Sequence, residues 1–448
     1  MRKTNSKIKL SDHFTPGRMI RFSLPSIGMM IFSSIYGMVD GYFVSNYAGA
    51  TPFASLNLVM PFIMILSAVG FMFGTGGTAL VSMTLGIGNR KKANEIFSLL
   101  TYTLIVCGVV FSIFGITVAP AMSKLLGATP KMLPYSVLYI RINMVSLPFF
   151  LLQNMFQSFT VTAEKPKLGL AVTIMAGCTN MFLDWLFVGV FGFGLAGAAW
   201  ATVTCEIIGG TIPLIYFFSP KNKSLLRLGR THMNGHALLK TCTNGSSEFL
   251  SDCASSIVGM LYNLQLMKYF GQNGVAAYGV IMYVNFIFVG IYFGYSMGMA
   301  PVTGYNYGAQ NHKELRNVFR TSMKMIAGAA IALTVIAELL SKFLVNIFVG
   351  YDPQLSQLTV HAFRIYVIAF LFMGFNIYGS SFFTALNNGL ISAILSVARS
   401  LVMQLLCIYL LPLLIGPDGL WGAIIASDGV CLILTIFMLV KYQKKYKY

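Results

Sequence analysis

Long, uninterrupted apolar runs decide what this chain can become. A helix that crosses a bilayer needs about 20 largely apolar residues, because each adds about 1.5 Å toward a hydrocarbon core about 30 Å thick. Twelve segments reach that length: 19–46, 53–85, 95–118, 132–163, 168–191, 195–218, 237–270, 274–307, 317–348, 356–387, 390–415 and 420–441. They are too long and too continuous for membrane barrel strands, which alternate over roughly ten residues. Lipid cannot hydrogen-bond a bare backbone, so the runs predict an all-α integral membrane protein. Only 10% of residues are charged and mean hydropathy is +0.73. A soluble domain carries about 25% charged residues, so a water-facing surface is excluded. Pro25, Pro61, Pro148, Pro213, Pro301 and Pro412 fall inside the runs, where bundles tolerate proline and where it marks bends.

A net charge of +18 would suit a nucleic-acid binder, but the basic residues sit in short clusters between apolar runs. That pattern orients a membrane protein and implies no nucleic-acid partner. With both termini cytoplasmic, the inner face collects Arg2, Lys3, Lys7, Lys9, Arg18 and Arg21, "NRKK" (89–92), Lys165, Lys167, the central "KNKSLLRLGRTH" (221–232), Lys313, Arg316, Arg320, Lys324 and "KYQKKYKY" (441–448). The other face keeps Lys124, Lys131, Arg141, Lys268, Lys342 and Arg364. The bias predicts a multi-pass protein of the cell membrane with an even number of spans. The segment "MRKTNSKIKLSDHFTPGRMIRF" is polar and basic and reads as a cytoplasmic tail rather than a signal peptide. The seven cysteines form no CxxC pair and read as small buried hydrophobes. No nucleotide-binding loop, zinc-ligand spacing or clustered nucleophile and base appears, so no enzyme and no cofactor is expected.

The two halves repeat. "GIGNRKKANEIF" (86–97) aligns to "GAQNHKELRNVF" (308–319), "YAGATPFA" (47–54) to "YFGQNGVA" (269–276), and "GLAGAAWAT" (194–202) to "GLWGAIIAS" (419–427). The offsets are 222, 222 and 225 residues. Six spans precede the central basic loop and six follow it, so the lobes are expected at 1–222 and 223–448. A repeat of even span number keeps its orientation. The predicted architecture is two six-helix lobes related by a pseudo-twofold axis along the membrane normal, suited to a central cavity and alternating access.

Seven of the thirteen acidic residues fall at or near membrane depth: Asp40, Asp184, Glu206, Glu248, Asp252, Glu338 and Asp428. Each costs roughly 2.5–3.5 kcal/mol on insertion scales and is a functional candidate by default. Asn180 lies one helical turn before Asp184 and shares its face. The pair is either a cation-binding stripe or polar glue between helices. Asn154 and Gln157 share another face, open to the same two readings. Glu248 and Asp252, also one turn apart, repel each other and are candidates for binding a cationic substrate.

The stretches "MVDGYFVSNYAGATPFASLN" (38–57), "LGIGNRKKA" (85–93), "TAEKPKLGL" (162–170), "NMFLDWLFV" (180–188), "GLAGAAWATV" (194–203) and "YNYGAQN" (305–311) carry a family resemblance in their order and spacing. The chain resembles the MATE (multidrug and toxic compound extrusion) family, most closely its MepA-like branch, within the wider multidrug/oligosaccharidyl-lipid/polysaccharide flippase group. The resemblance implies a secondary active exporter of lipophilic cationic drugs or metabolites, driven by H+ or Na+ and working as a monomer among membrane lipids. It implies a cation-coupling cluster, including any Na+ site, at Asp40, Asn180, Asp184 and Thr202. Read from its own position, Tyr139 is a candidate contact of that cluster, and Glu206, one turn after Thr202, either joins the network or sits near the inner end of its helix. Asn154, Gln157, Glu248 and Asp252 are the candidates for the cavity. The second half departs from the first: Tyr262 and Cys407 stand at the repeat positions of Asp40 and Asp184, and span ten holds no acid. The alternative is a flippase for a lipid-linked oligosaccharide or other amphipathic metabolite. Such a protein wants basic residues in its cavity, and Arg399, expected near the inner end of span eleven, is the clearest one.

Overall fold

A computed structural model describes residues 8–350 and 352–448. Arg2, Lys3 and Lys7, counted above toward the inner face, lie outside the described residues. Every regular element among the described residues is helical. Spans 1 to 6 are Pro16–Phe43, Ala50–Gly86, Arg90–Leu125, Leu133–Thr162, Pro166–Asp184 and Gly194–Phe218. Span 9 is His312–Leu339 and span 12 is Gly419–Tyr446. Span 10 is the pair Pro353–Val367 and Phe370–Ala385, bent by 50°. Span 11 runs from Gly389–Val397 through a wider π-helical turn, Ala398–Met403, into Gln404–Ile415.

The 74-residue run Gly235–Gly308 supplies spans 7 and 8. Laid straight it would reach about 110 Å, several times a bilayer. Gly271 breaks it, with φ +63° and ψ −155°. The rings of Tyr262 and Tyr278 would be about 24 Å apart along a straight helix. Their centroids are 4.4 Å apart, so the chain doubles back at this glycine. With that hairpin counted as two spans and the bent pair as one, there are twelve crossings among the described residues.

The repeat is visible in how the lobes meet. A Cβ on Gly86 would collide with the Tyr305 carbonyl, and one on Gly308 with the Met83 carbonyl. Gly308 and Tyr305 are the repeat partners of Gly86 and Met83, so the contact is reciprocal about a pseudo-twofold axis. Gly76 meets the backbone of Thr241 and Gly245 on span 7, and its repeat partner Gly298 meets Ser23 on span 1. Small residues let helix backbones approach closely where lipid provides no hydrophobic drive between helices. These contacts seal the lobes together on the face that carries the termini.

Each half also opens with a strap on that face. In the first, the backbone N–H of Leu10 donates to Glu164 Oε1 at 2.9 Å and that of Phe14 to Glu314 Oε1 at 2.9 Å. His13 Nδ1 lies 2.7 Å from Glu314 Oε2. Leu10 and Phe14 are fully buried. The central loop lies on span 3, where Arg90 donates to the Ser224 carbonyl at 2.8 Å and Asn94 Oδ1 accepts from the Arg227 N–H at 3.0 Å. Asn89 and Asn311, repeat partners, each cap the helix that follows. All seven cysteines are free; Cys205 and Cys431 are buried and Cys178 is exposed, so the expectation of buried thiols holds only in part.

Candidate functional site in the first lobe and the central cavity

Spans 1 and 5 lie side by side, and Gly177 sets their separation. A Cβ there would stand 2.6 Å from Phe32 Cε1 and 2.7 Å from Tyr36 Cδ1. Those two rings therefore pack against the bare backbone of span 5. One turn past Tyr36 comes Asp40; one and two turns past Gly177 come Asn180 and Asp184. The register set at the glycine delivers the two carboxyls to one place, within electrostatic reach of each other. Both acids stand where regular α-helix ends. Span 1 widens into a π-turn at Val44–Ala48, and span 5 does so at Trp185–Val190, directly after Asp184. Such widenings frequently mark functional sites.

Asp184 is 0% exposed, Asn180 2% and Asp40 9%. Both carboxylate oxygens of Asp184, Oδ1 of Asp40 and Oδ1 of Asn180 are buried without a hydrogen-bond partner among the described residues. A buried acceptor left unpaired costs about 1–3 kcal/mol, more when charged. Four such oxygens on adjoining spans make an acceptor-only set. Oxygen acceptors without donors suit a proton or a hard cation.

Tyr139 on span 4 is 2% exposed and within electrostatic reach of Asp40, Asp184 and Glu206. Glu206 is buried on span 6, and its Oε2 accepts from Ser146 Oγ at 2.5 Å. Ser146 went unnoticed in the sequence, where one serine in an apolar span carries no signal. Thr202 lies one turn before Glu206 and is half-buried; it makes no hydrogen bond to the acids among the described residues. The structure thus gathers Asp40, Asn180, Asp184, Tyr139 and Glu206 and leaves Thr202 beside them.

Asn154 is buried, and its amide donates to the Ser67 carbonyl of span 2 at 3.4 Å. Gln157 borders a small cavity among spans 4, 5 and 6 with Gln153, Thr173 and Gly209. Neither lines the central cavity between the lobes. Its first-half wall includes Met30, Phe71, Thr75, Thr78 and Ser158. Its second-half wall includes Glu248, Phe293, Met297, Ser380, Thr384 and Arg399. Asp252 stands one turn beyond Glu248, half-buried and within its electrostatic reach.

Arg399 stands within span 11 rather than at its Gly389 end. It lies ten residues along the helix from Gly389, about 15 Å into the span. Glu338 sits at the end of span 9, half-exposed, and pairs with Arg364 at 3.1 Å.

The fold and these sites define a class: a two-lobed, multi-pass membrane transporter with a buried acidic cluster in one lobe and a cavity between the lobes. The MatE family model matches residues 25–186 and 249–410, one stretch per lobe. The chain belongs to the MatE family, whose members are transporters and not enzymes. It is 24% identical to the multidrug export protein MepA of Staphylococcus haemolyticus over 433 residues, covering 95% of this chain and 94% of that protein. It is 22% identical to the MepA of Staphylococcus saprophyticus, covering 95% and 93%. Among solved structures, one described as "Crystal structure of MATE in complex with MaL6" superposes with a TM-score of 0.93 at 20% identity, covering 99% of this chain and 100% of that one. Another, an outward-facing multidrug resistance MATE family transporter of the MOP superfamily, gives 0.92 at 20% identity, covering 99% of each chain. At that identity the likeness concerns the fold.

Proposed function

We propose that this protein is a multidrug exporter of the cell membrane, moving small lipophilic organic cations out by antiport with H+ or Na+. The observation that carries the reading is the acceptor-only set at Asp40, Asn180 and Asp184, four buried oxygens with no hydrogen-bond partner among the described residues. A proton or Na+ taken between the two carboxyls relieves their repulsion. It also changes how span 1 lies on span 5, and span 1 contains Pro25, a residue that lets a helix bend. The same helix contributes Met30 to the cavity wall, so ion binding and cavity shape share one element. Aromatic faces and thioethers on that wall suit varied cations. The multidrug export proteins named above point the same way. In this reading the protein works as a monomer among membrane lipids, with both termini in the cytoplasm.

The flippase alternative draws on one feature, Arg399 on the cavity wall. It is outweighed because Asp428 lies 3.8 Å from that guanidinium and Glu248 shares its wall, leaving no excess of positive charge for a polyanion. Cells overexpressing the protein are expected to tolerate quaternary ammonium compounds and cationic dyes better than cells with an empty vector. Equal sensitivity across such a panel, with transport of an anionic lipid-linked sugar, would put the flippase first.

A further inference from the structure

The second lobe holds a group of charges that the coupling cluster does not use. Arg399 sits in the π-turn of span 11 and lines the cavity with Glu248. Behind it, Asp428 on span 12 is 0% exposed. Arg399 Nη1 lies 3.8 Å from Asp428 Oδ1, well beyond the ~2.7–2.9 Å of a charge-assisted hydrogen bond. Oδ1 already accepts from the Asn376 amide at 3.0 Å, and Asn376 Oδ1 in turn accepts from Thr435 Oγ1 at 3.0 Å. Oδ2 has no partner among the described residues. On the other side Arg399 is within electrostatic reach of Glu248 but forms no ion pair with it among the described residues. The guanidinium stands between two acids, in a long ion pair with Asp428 and in none with Glu248 among the described residues.

We propose that Arg399 is a resident counter-ion that a cationic substrate displaces. With no substrate bound, its charge offsets Glu248. When an organic cation reaches Glu248, the guanidinium withdraws onto Asp428, whose unpaired Oδ2 completes a two-pronged pair while Asn376 and Thr435 hold the carboxylate still. The cavity then gains a positive charge at its wall and loses one from it, so it stays electrically balanced through loading. The π-turn that carries Arg399 supplies a local irregularity around which the side chain shifts. This inference rests on the efflux reading above and deepens it by naming what a substrate competes with. Anions gain nothing at this wall, because Arg399 is matched by Glu248 and Asp428.

The test is binding of a monovalent cationic dye such as ethidium to the purified full chain in detergent, read by fluorescence anisotropy. Removing a positive charge several ångströms from a binding carboxylate strengthens cation binding by roughly tenfold or more at a protein-like dielectric. R399Q is therefore expected to tighten dye binding about tenfold. D428N, which leaves the guanidinium with Glu248 as its one acid, is expected to weaken it by a similar factor. The double variant R399Q/D428N removes both buried charges together and is expected to bind as tightly as R399Q, which keeps the test readable if either single variant folds poorly. A wild type that binds dye while R399Q and the double variant bind no more tightly overturns this inference alone. A wild type that binds no cationic dye overturns the efflux reading and this inference with it.

Discussion

Gly177 is the residue on which the first-lobe site depends, although it carries no functional group. Its missing Cβ lets Phe32 and Tyr36 pack on the span 5 backbone, and that contact fixes where Asp40 lies relative to Asp184. Gly177→Val is expected to push span 1 outward and part the two carboxyls. Overpacking of this kind costs about 1–3 kcal/mol, so the variant should still reach the membrane but lose most gradient-driven efflux. The check is efflux normalised to surface expression. Activity retained with normal expression would show that the spacing of spans 1 and 5 does not govern the acids. Gly229, exposed in the central loop with no atom within 4 Å of an added Cβ, is the control position and should tolerate alanine. Residue chemistry at depth was readable in the sequence, since an acid in an apolar run stands out. Its partners were not. Nothing in periodicity says that Ser146 faces Glu206, or that Asn376 and Arg399 face Asp428, because each pair joins different spans.

At the scale of elements, the reciprocal glycines carry the contact between lobes. Gly86 meets Tyr305 and Gly308 meets Met83 at backbone distance, through one pseudo-twofold operation. A side chain at either position must pry the same two helices apart. Gly86→Leu and Gly308→Leu are therefore expected to lower thermal stability in detergent by similar amounts. The double substitution should cost less than the sum, because the first has already opened the seam. Strictly additive losses would mean that the two glycines act at independent contacts. The spans themselves were legible from apolar length. The turns between them were less so: the sequence reads 237–270 and 274–307 as separate runs, but the Gly271 dihedrals and the packed Tyr262 and Tyr278 rings reveal a hairpin closed at a single glycine. The π-turns beside Asp40, Asp184 and Arg399 were not visible at all, because a helix that gains one residue per turn keeps the same composition.

For the whole molecule, the repeat offset of about 222 residues anticipated two like lobes, and the two stretches matched by the family model begin 224 residues apart, at 25 and 249. The lobes share a scaffold and differ in chemistry. The first concentrates unpaired acids near span 5, and the second sets an arginine between acids at the cavity. In the proposed mechanism that asymmetry lets ion and substrate act on one motion from different lobes. The central claim is that the Asp40–Asp184 pair converts an ion gradient into export. The most direct measurement is efflux of a cationic dye from proteoliposomes against an imposed proton or sodium gradient, with reconstituted protein quantified for each variant. Asp184→Asn is expected to abolish gradient-driven efflux. Asp40→Asn should do the same, and the double variant should be little worse than either, because residues that act as a unit are not additive. If Asp184→Asn keeps full gradient-driven efflux, the buried acids serve only to hold spans together and the coupling site lies elsewhere.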